Sequence, residues 1–348
     1  MVESLREALS CDSRRQLRKK ILEITKKVNE PFQPMTGEWS HYSALEDDLG
    51  QILESQTLER AKYYTKRLVK SLTENRTNGI NDINLNRWKE YNEVLTDSLW
   101  IFDRRDTSGS HLGWYWGNFV PQIPHQAIIR FTKKGNWILD PFAGSGTTLI
   151  ESIRLGRNVI GVEINQATVR KANSLIKTEP NTFGVKYWLK VGDSTELNFR
   201  NICKTAGTDE VQLIIMHPPY FDIIKFGKKS GDLSGTKSVE EFLKEFGKVV
   251  DATYPVLQDG RYLVLVVGDK YQNGEWIPLG FYTMEEVTRR GYILTGIIAK
   301  NFDDTRAKRE QKELWRYRAL AGGFYVFKHE YVFIFKKQKK KDSGADRV

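Results

Sequence analysis

The sequence predicts an α/β chain with a mostly parallel sheet, preceded by a helical region. Three observations carry that expectation. From Trp137 onward, short apolar strands alternate with amphipathic helices. The first strand runs into a glycine loop that opens a helix, Asp140-Pro141-Phe142-Ala143-Gly144-Ser145-Gly146-Thr147-Thr148. Three successive strands end on acidic residues, Asp140, Glu163 and Asp193, where open α/β sheets bind ligands.

Residues 1–96 read as a helical region. Leu17, Ile21, Ile24 and Val28 fall at helical spacing, with Arg14, Arg15, Arg18, Lys19, Lys20, Lys26 and Lys27 around them. A second helix is expected over about 43–72, on Leu45, Leu49, Ile52, Leu53, Ala61, Tyr64, Leu68 and Leu72. Residues 76–86 are rich in Asn and Gly and read as a loop. Strand 137–139 leads through the glycine loop to a helix that Gly156 stops. Strand 158–162 follows, then a helix at 167–176 and strands at 185–191 and 212–216. A helical pattern at 239–257, a strand at 261–267, a helix at 279–289, and strands at 292–299 and 331–335 complete the pattern. The main domain is expected over 97–337, with a basic tail at 338–348.

Composition narrows the function classes. Cys11 and Cys203 are isolated, so neither a disulfide framework nor a metal cluster is expected. The first six residues lack a secretory apolar run, and no stretch approaches the roughly 18 apolar residues of a membrane span. The cytoplasm is the expected compartment. Lys plus Arg is 54 against 44 for Asp plus Glu, and the resulting charge of +10 suits a polyanionic partner.

The glycine loop suits one ligand class. A nucleoside triphosphate would call for a Lys in the P-loop arrangement, and a dinucleotide for a third Gly. What remains is a nucleoside with an amino-acid tail. Gly144 and Gly146 permit the tight turn, and the Ser145 and Thr147 hydroxyls can take the tail's carboxylate. Asp140 can take its ammonium group. Glu163 suits two ribose hydroxyls, and Asp193 with Ser194 would sit near the base of the nucleoside.

Strand 212–216 runs into His217-Pro218-Pro219-Tyr220. Two prolines fix the backbone and remove two donors, leaving carbonyl oxygens. An exocyclic base nitrogen is a poor nucleophile because its lone pair is conjugated with the ring. Acceptors around it favour a pyramidal nitrogen, and His217 with the Pro218 carbonyl are candidates. Tyr220 is a candidate to stack on a base flipped out of a helix.

The chain resembles the amino-methyltransferases of DNA, which modify adenine N6 or cytosine N4. The glycine loop is similar to their D-P-F-x-G-S-G-T-T motif, and residues 217–220 to their [DNS]-P-P-[YF] motif. The resemblance covers about 97–337 and implies a Rossmann-like, seven-stranded methyltransferase sheet with a reversed last strand. It implies S-adenosylmethionine as cofactor, double-stranded DNA as partner and in-line methyl transfer without a metal. A cognate restriction endonuclease would be a further partner. Residues 117–125 resemble the segment that closes over the cofactor, making Phe119 and Pro121 candidate contacts; Phe142 of the glycine loop is a further candidate.

Position 217 departs from the motif. Neutral His accepts a hydrogen bond and protonated His does not, so rate is expected to fall as pH drops through about 6 to 7. In this family Ser usually accompanies cytosine N4 and Asp adenine N6, and the non-acidic His217 leans toward cytosine N4.

DNA contact is expected from Lys225, Lys228 and Lys229 after the Pro-Pro motif. A second candidate stretch holds Arg306, Lys308, Arg309, Trp315, Arg316 and Arg318, mixing cations with aromatics. The basic faces of the N-terminal helices are a third. Alternatives are a transfer-RNA guanine-N2 methyltransferase, a protein-glutamine methyltransferase, and a silent methyltransferase fold serving as a DNA-binding subunit.

Overall fold

The computed structural model describes residues 1–28, 39–221, 232–301 and 312–339. The chain divides into two units, Met1–Leu95 and Thr96–Val348.

In the first unit, helices α1 (Val2–Leu9), α2 (Arg14–Val28), α3 (Trp39–Glu54) and α4 (Leu58–Thr73) enclose a core of Leu5, Leu17, Ile21, Leu49, Ile52, Ala61 and Leu68. The single helix expected over 43–72 is two. Thr57 takes extended backbone and its hydroxyl accepts from the Arg60 N–H at 3.2 Å, so it caps a new helix. The apolar spacing runs through this break because both helices bury their stripes in one core.

The second unit contains β1 (Leu99–Trp100), α5 (Gln122–Phe131), β2 (Trp137–Asp140), α6 (Thr147–Arg154) and β3 (Asn158–Glu163). It continues through α7 (Gln166–Ile176), β4 (Tyr187–Val191), α8 (Phe199–Ala206), β5 (Val211–Met216) and α9 (Val239–Thr253). Then come β6 (Leu257–Val267), β7 (Lys270–Gln272), β8 (Glu275–Ile277) and α10 (Leu279–Arg289). Last are β9 (Tyr292–Asn301), α11 (Lys312–Gly322) and β10 (His329–Lys337).

The sheet order is β1-β9-β10-β6-β5-β2-β3-β4, and β7 with β8 forms a separate hairpin. Within the large sheet every neighbour pair is parallel except the two that β10 makes. The strand count is therefore eight rather than seven. The extra strand is β1, whose two residues pair with Ala299 and Lys300 at the free edge of β9.

Both faces of the central strands are covered, so Ile138, Leu139, Val159, Ile160, Leu213, Ile214, Leu263 and Val264 are fully buried and read as continuous apolar runs. Gly161 lets α6 approach the sheet, since a Cβ there would lie 2.7 Å from Leu149 Cδ1. Glu151 on α6 is buried and accepts from His111 Nε2 at 2.7 Å and His125 Nδ1 at 2.8 Å. These bonds tie two preceding segments to the helix after the glycine loop. Despite burial, they hold the Glu151 carboxyl down at about 2.

The parallel strands deliver their C-terminal ends to one edge of the sheet, and reversed β10 delivers its start there. Among the described residues no helix is long and apolar enough to cross a membrane.

Candidate active site

A cleft of about 720 Å³, counting its open mouth, lies along that edge. Its floor is Pro141, Phe142, Ala143 and Gly144 from the glycine loop. Gly192, Asp193 and Ser194 after β4 close one end, and His217, Pro218 and Pro219 after β5 the other. Tyr115, Asn118 and Phe119 cover it.

Gly144 has φ +50° and Gly146 φ +83°, conformations that suit glycine. The turn brings the Gly144 N–H to Glu163 Oε2 at 3.1 Å, while the Asn165 N–H donates to Oε1 at 2.8 Å. Glu163 is thus oriented by two backbone donors at the cleft wall. Asp193 takes the Thr195 N–H and hydroxyl on Oδ1, at 2.9 and 2.7 Å. Asp232 takes the Ser234 N–H and hydroxyl on Oδ1, at 2.9 and 2.6 Å. Among the described residues its Oδ2 is buried without a hydrogen-bond partner, and the lining contains these three carboxylates and neither Lys nor Arg.

Asp140 lies beneath the lining. It is 1% exposed and accepts from the Phe142 N–H at 2.9 Å. Burial pushes its carboxyl up to about 7, with Glu163 adding to the effect. Ser145 and Thr147 are also buried below the floor. The Thr147 hydroxyl donates to Asn118 Oδ1 at 2.8 Å, so it ties the covering segment to the glycine loop.

At the other end His217 lines the cleft, and its ring stands perpendicular to Phe119 with centroids 4.8 Å apart. His217 Nε2 lies 3.0 Å from Tyr220 Oη, which donates to Glu330 Oε2 at 2.8 Å. Lys300 Nζ pairs with Glu330 Oε1 at 3.1 Å, and both side chains are buried. The Glu330–Lys300 pair is in register between β10 and β9. Burial lowers the His217 pKa to about 4, although Glu330 opposes the shift. The expected titration at 6 to 7 is thereby corrected: the imidazole is neutral throughout that range.

Tyr220 does not line the cleft. Its ring packs behind His217 against Gly268, where a Cβ would meet it at 3.0 Å. Tyr220 is half-buried, and its hydroxyl is engaged by His217 and Glu330. Phe221, next in line, takes φ +53° with its N–H on the Pro219 carbonyl, a tight reversal that seats Tyr220 beneath the Pro-Pro segment.

Of the other expected contacts, Phe119, Phe142, Gly144, Glu163, Asp193 and Ser194 line the cleft. Pro121 and Gly146 do not: the first precedes α5 and the second starts α6. Lys225, Lys228, Lys229, Arg306, Lys308 and Arg309 lie outside the described residues. Arg316 and Arg318 are exposed on α11, and the Arg318 guanidinium sits 5.2 Å from the Trp315 ring centroid. Sequence reasoning missed Tyr115, Asn118, Asp232, Lys300 and Glu330. The last two lie just outside the strands expected at 292–299 and 331–335. Only the pairing of β9 with β10 shows that they meet.

Known proteins resemble this chain in local stretches and in family pattern. The pattern of the family described as DNA methylase matches residues 16–174 and 211–348. A second, described as an RMKL-like methyltransferase domain, matches 129–253. The Type II methyltransferase M.MjaII of Methanocaldococcus jannaschii is 43% identical over 51 residues, 15% of this chain and 10% of that protein. M2.DpnII of Streptococcus pneumoniae is 42% identical over 55 residues, 16% of this chain and 20% of that protein. A tRNA (guanine(10)-N2)-dimethyltransferase of Pyrococcus abyssi is 35% identical over 102 residues, 29% and 28% of the two chains. The matched stretches thus span less than a third of these relatives. Among solved structures, TrmN from Thermus thermophilus is 15% identical, with a TM-score of 0.39 over 63% of this chain and 49% of its own.

Proposed function

The chain belongs to the DNA methylase family, and from that premise we propose that it transfers the methyl group of S-adenosylmethionine to an exocyclic amino group of a base in double-stranded DNA. The observation that carries the reading is one cleft with a carboxylate-lined end and a His-Pro-Pro end.

The residues fit the cofactor. A cationic nucleoside suits a wall with three carboxylates. Glu163 would hold the ribose hydroxyls, Asp193 and Ser194 the adenine, and Phe119 and Phe142 its flat faces. Asp232 Oδ2, buried and without a hydrogen-bond partner among the described residues, would receive a cationic N–H donor, which offsets its burial. Bound S-adenosylmethionine supplies an electrophilic methyl carried on a sulfonium.

The protein's own contribution is positioning and electrostatics. Neutral His217 and the carbonyls of the Pro-Pro segment accept the amino hydrogens and turn the nitrogen lone pair toward the cleft. A duplex base reaches this depth only after flipping out of its stack. The uncharged acceptor at 217 favours cytosine N4 as the target. The relatives named Type II methyltransferases motivate a role beside a restriction endonuclease, in the cytoplasm.

The test is methyl transfer from labelled S-adenosylmethionine to unmethylated duplex DNA and, separately, to RNA, with nucleoside mass spectrometry. N4-methylcytosine from DNA is expected. N6-methyladenine would keep the class and change the base. Label in RNA alone would overturn the DNA reading in favour of the activity named for the Pyrococcus abyssi relative.

A further inference from the structure

We infer that Tyr220, Glu330 and Lys300 are positioning residues that fix His217 as its Nε2-protonated tautomer, so that Nδ1 is the acceptor presented to the target amino group. The inference rests on the proposed function and adds which nitrogen acts and what sets it.

The argument is a count of protons. An ionised carboxylate accepts only, and Glu330 is paired with Lys300 at 3.1 Å. The Tyr220 hydroxyl has one proton, and it goes to Glu330 Oε2 at 2.8 Å. Toward His217 Nε2, 3.0 Å away, Tyr220 Oη can then only accept. One donation and one acceptance then engage the phenol oxygen. Nε2 must therefore carry the hydrogen, and in a neutral imidazole Nδ1 is left as the acceptor. The perpendicular Phe119 ring, 4.8 Å away, limits rotation of the imidazole.

The fold makes the chain of contacts possible. His217 and Tyr220 follow β5, Gly268 follows β6, Lys300 closes β9 and Glu330 opens reversed β10. Lys300 pairs with Glu330 Oε1, which leaves Oε2 to accept from Tyr220. A wrong tautomer would aim an N–H at the amino group, as misoriented imidazoles do in other enzymes.

The experiment is long-range proton–nitrogen NMR on protein labelled with ¹⁵N-histidine, His217→Gln assigning one signal set among five histidines. The wild-type protein is expected to show the Nε2-protonated pattern at His217. In Tyr220→Phe that pattern should give way to a tautomer mixture. The variant's kcat should fall about tenfold or more, with S-adenosylmethionine affinity within twofold of wild type as the check on folding. An Nδ1-protonated pattern in the wild type overturns the inference. So does a Tyr220→Phe protein whose His217 tautomer is unchanged, whatever its rate. The nitrogen pattern needs no DNA, so a wild-type protein that methylates RNA alone would defeat the substrate reading without touching this one.

Discussion

Desolvation shifts both His217 and Asp140 toward the neutral form, one by losing basicity and the other by losing acidity. For His217 the consequence is a kcat that stays flat from pH 8 down to about 5 and falls only as the pH approaches 4. A fall centred between 6 and 7 in kcat would contradict the depressed pKa. Asp140 makes a separate prediction. A cation bound beside it favours the ionised carboxyl, so S-adenosylmethionine affinity should weaken as pH falls through about 7. Calorimetry on Asp140→Asn should show that pH dependence abolished. Asp232 bears on affinity at any pH. Its buried Oδ2 is suited to a charge-assisted bond, a contribution of about 1.5 to 3 kcal/mol. Asp232→Asn should therefore raise the cofactor Kd by about tenfold or more, and an unchanged Kd would remove Asp232 from the site. These side chains differ in legibility. Glu163 and Asp193 announced themselves as acidic strand ends. Asp232 looked like one more loop carboxylate, and only its burial against the cleft distinguishes it.

The glycine loop and α6 act as one element. A Cβ at Gly146 would combine a φ of +83° with a contact of 2.7 Å to Ile176 Cδ1, itself buried. Gly146→Ala should destabilise the second unit by about 2 kcal/mol or more, seen as a lower thermal midpoint. Thr147→Val should leave that midpoint close to wild type, because the bond it removes reaches outward to Asn118. It should instead weaken cofactor binding by freeing the covering segment. Equal losses of stability in both variants would argue against this division of labour. The same contrast explains which elements the sequence revealed. Strands β2, β3, β5 and β6 are apolar runs bounded by Gly, Asp or Pro, and periodicity finds them. The hairpin β7–β8 and helices α1, α5 and α8 are three to ten residues long, too short for a period to emerge. The break at Thr57 was masked for the opposite reason, since the apolar stripes of α3 and α4 face one core.

For the whole molecule, the two shifted groups couple the site to folding with opposite signs. The folded pKa of His217, about 4, lies below the ordinary 6.5, so its contribution to stability is lost as pH falls from 6.5 toward 4. That of Asp140, about 7, lies above the ordinary 3.8, so its contribution is lost as pH rises from 3.8 toward 7. Between pH 4 and 6.5 unfolding takes up one proton at His217 and releases one at Asp140. Their slopes cancel. Removing either group should expose the other. Relative to wild type, Asp140→Asn should gain stability with rising pH at about 1.4 kcal/mol per unit, and His217→Gln should lose it at the same rate. The double variant should run parallel to wild type. Urea unfolding at pH 4.5, 5.5 and 6.5 measures all four slopes. Parallel lines for wild type and Asp140→Asn would mean that Asp140 is ionised in the folded chain, and the cleft floor would then carry a fourth charge. No reading of spacing reaches this result, because it depends on how deeply the sheet edge buries two residues that lie 77 positions apart in sequence, 217 minus 140.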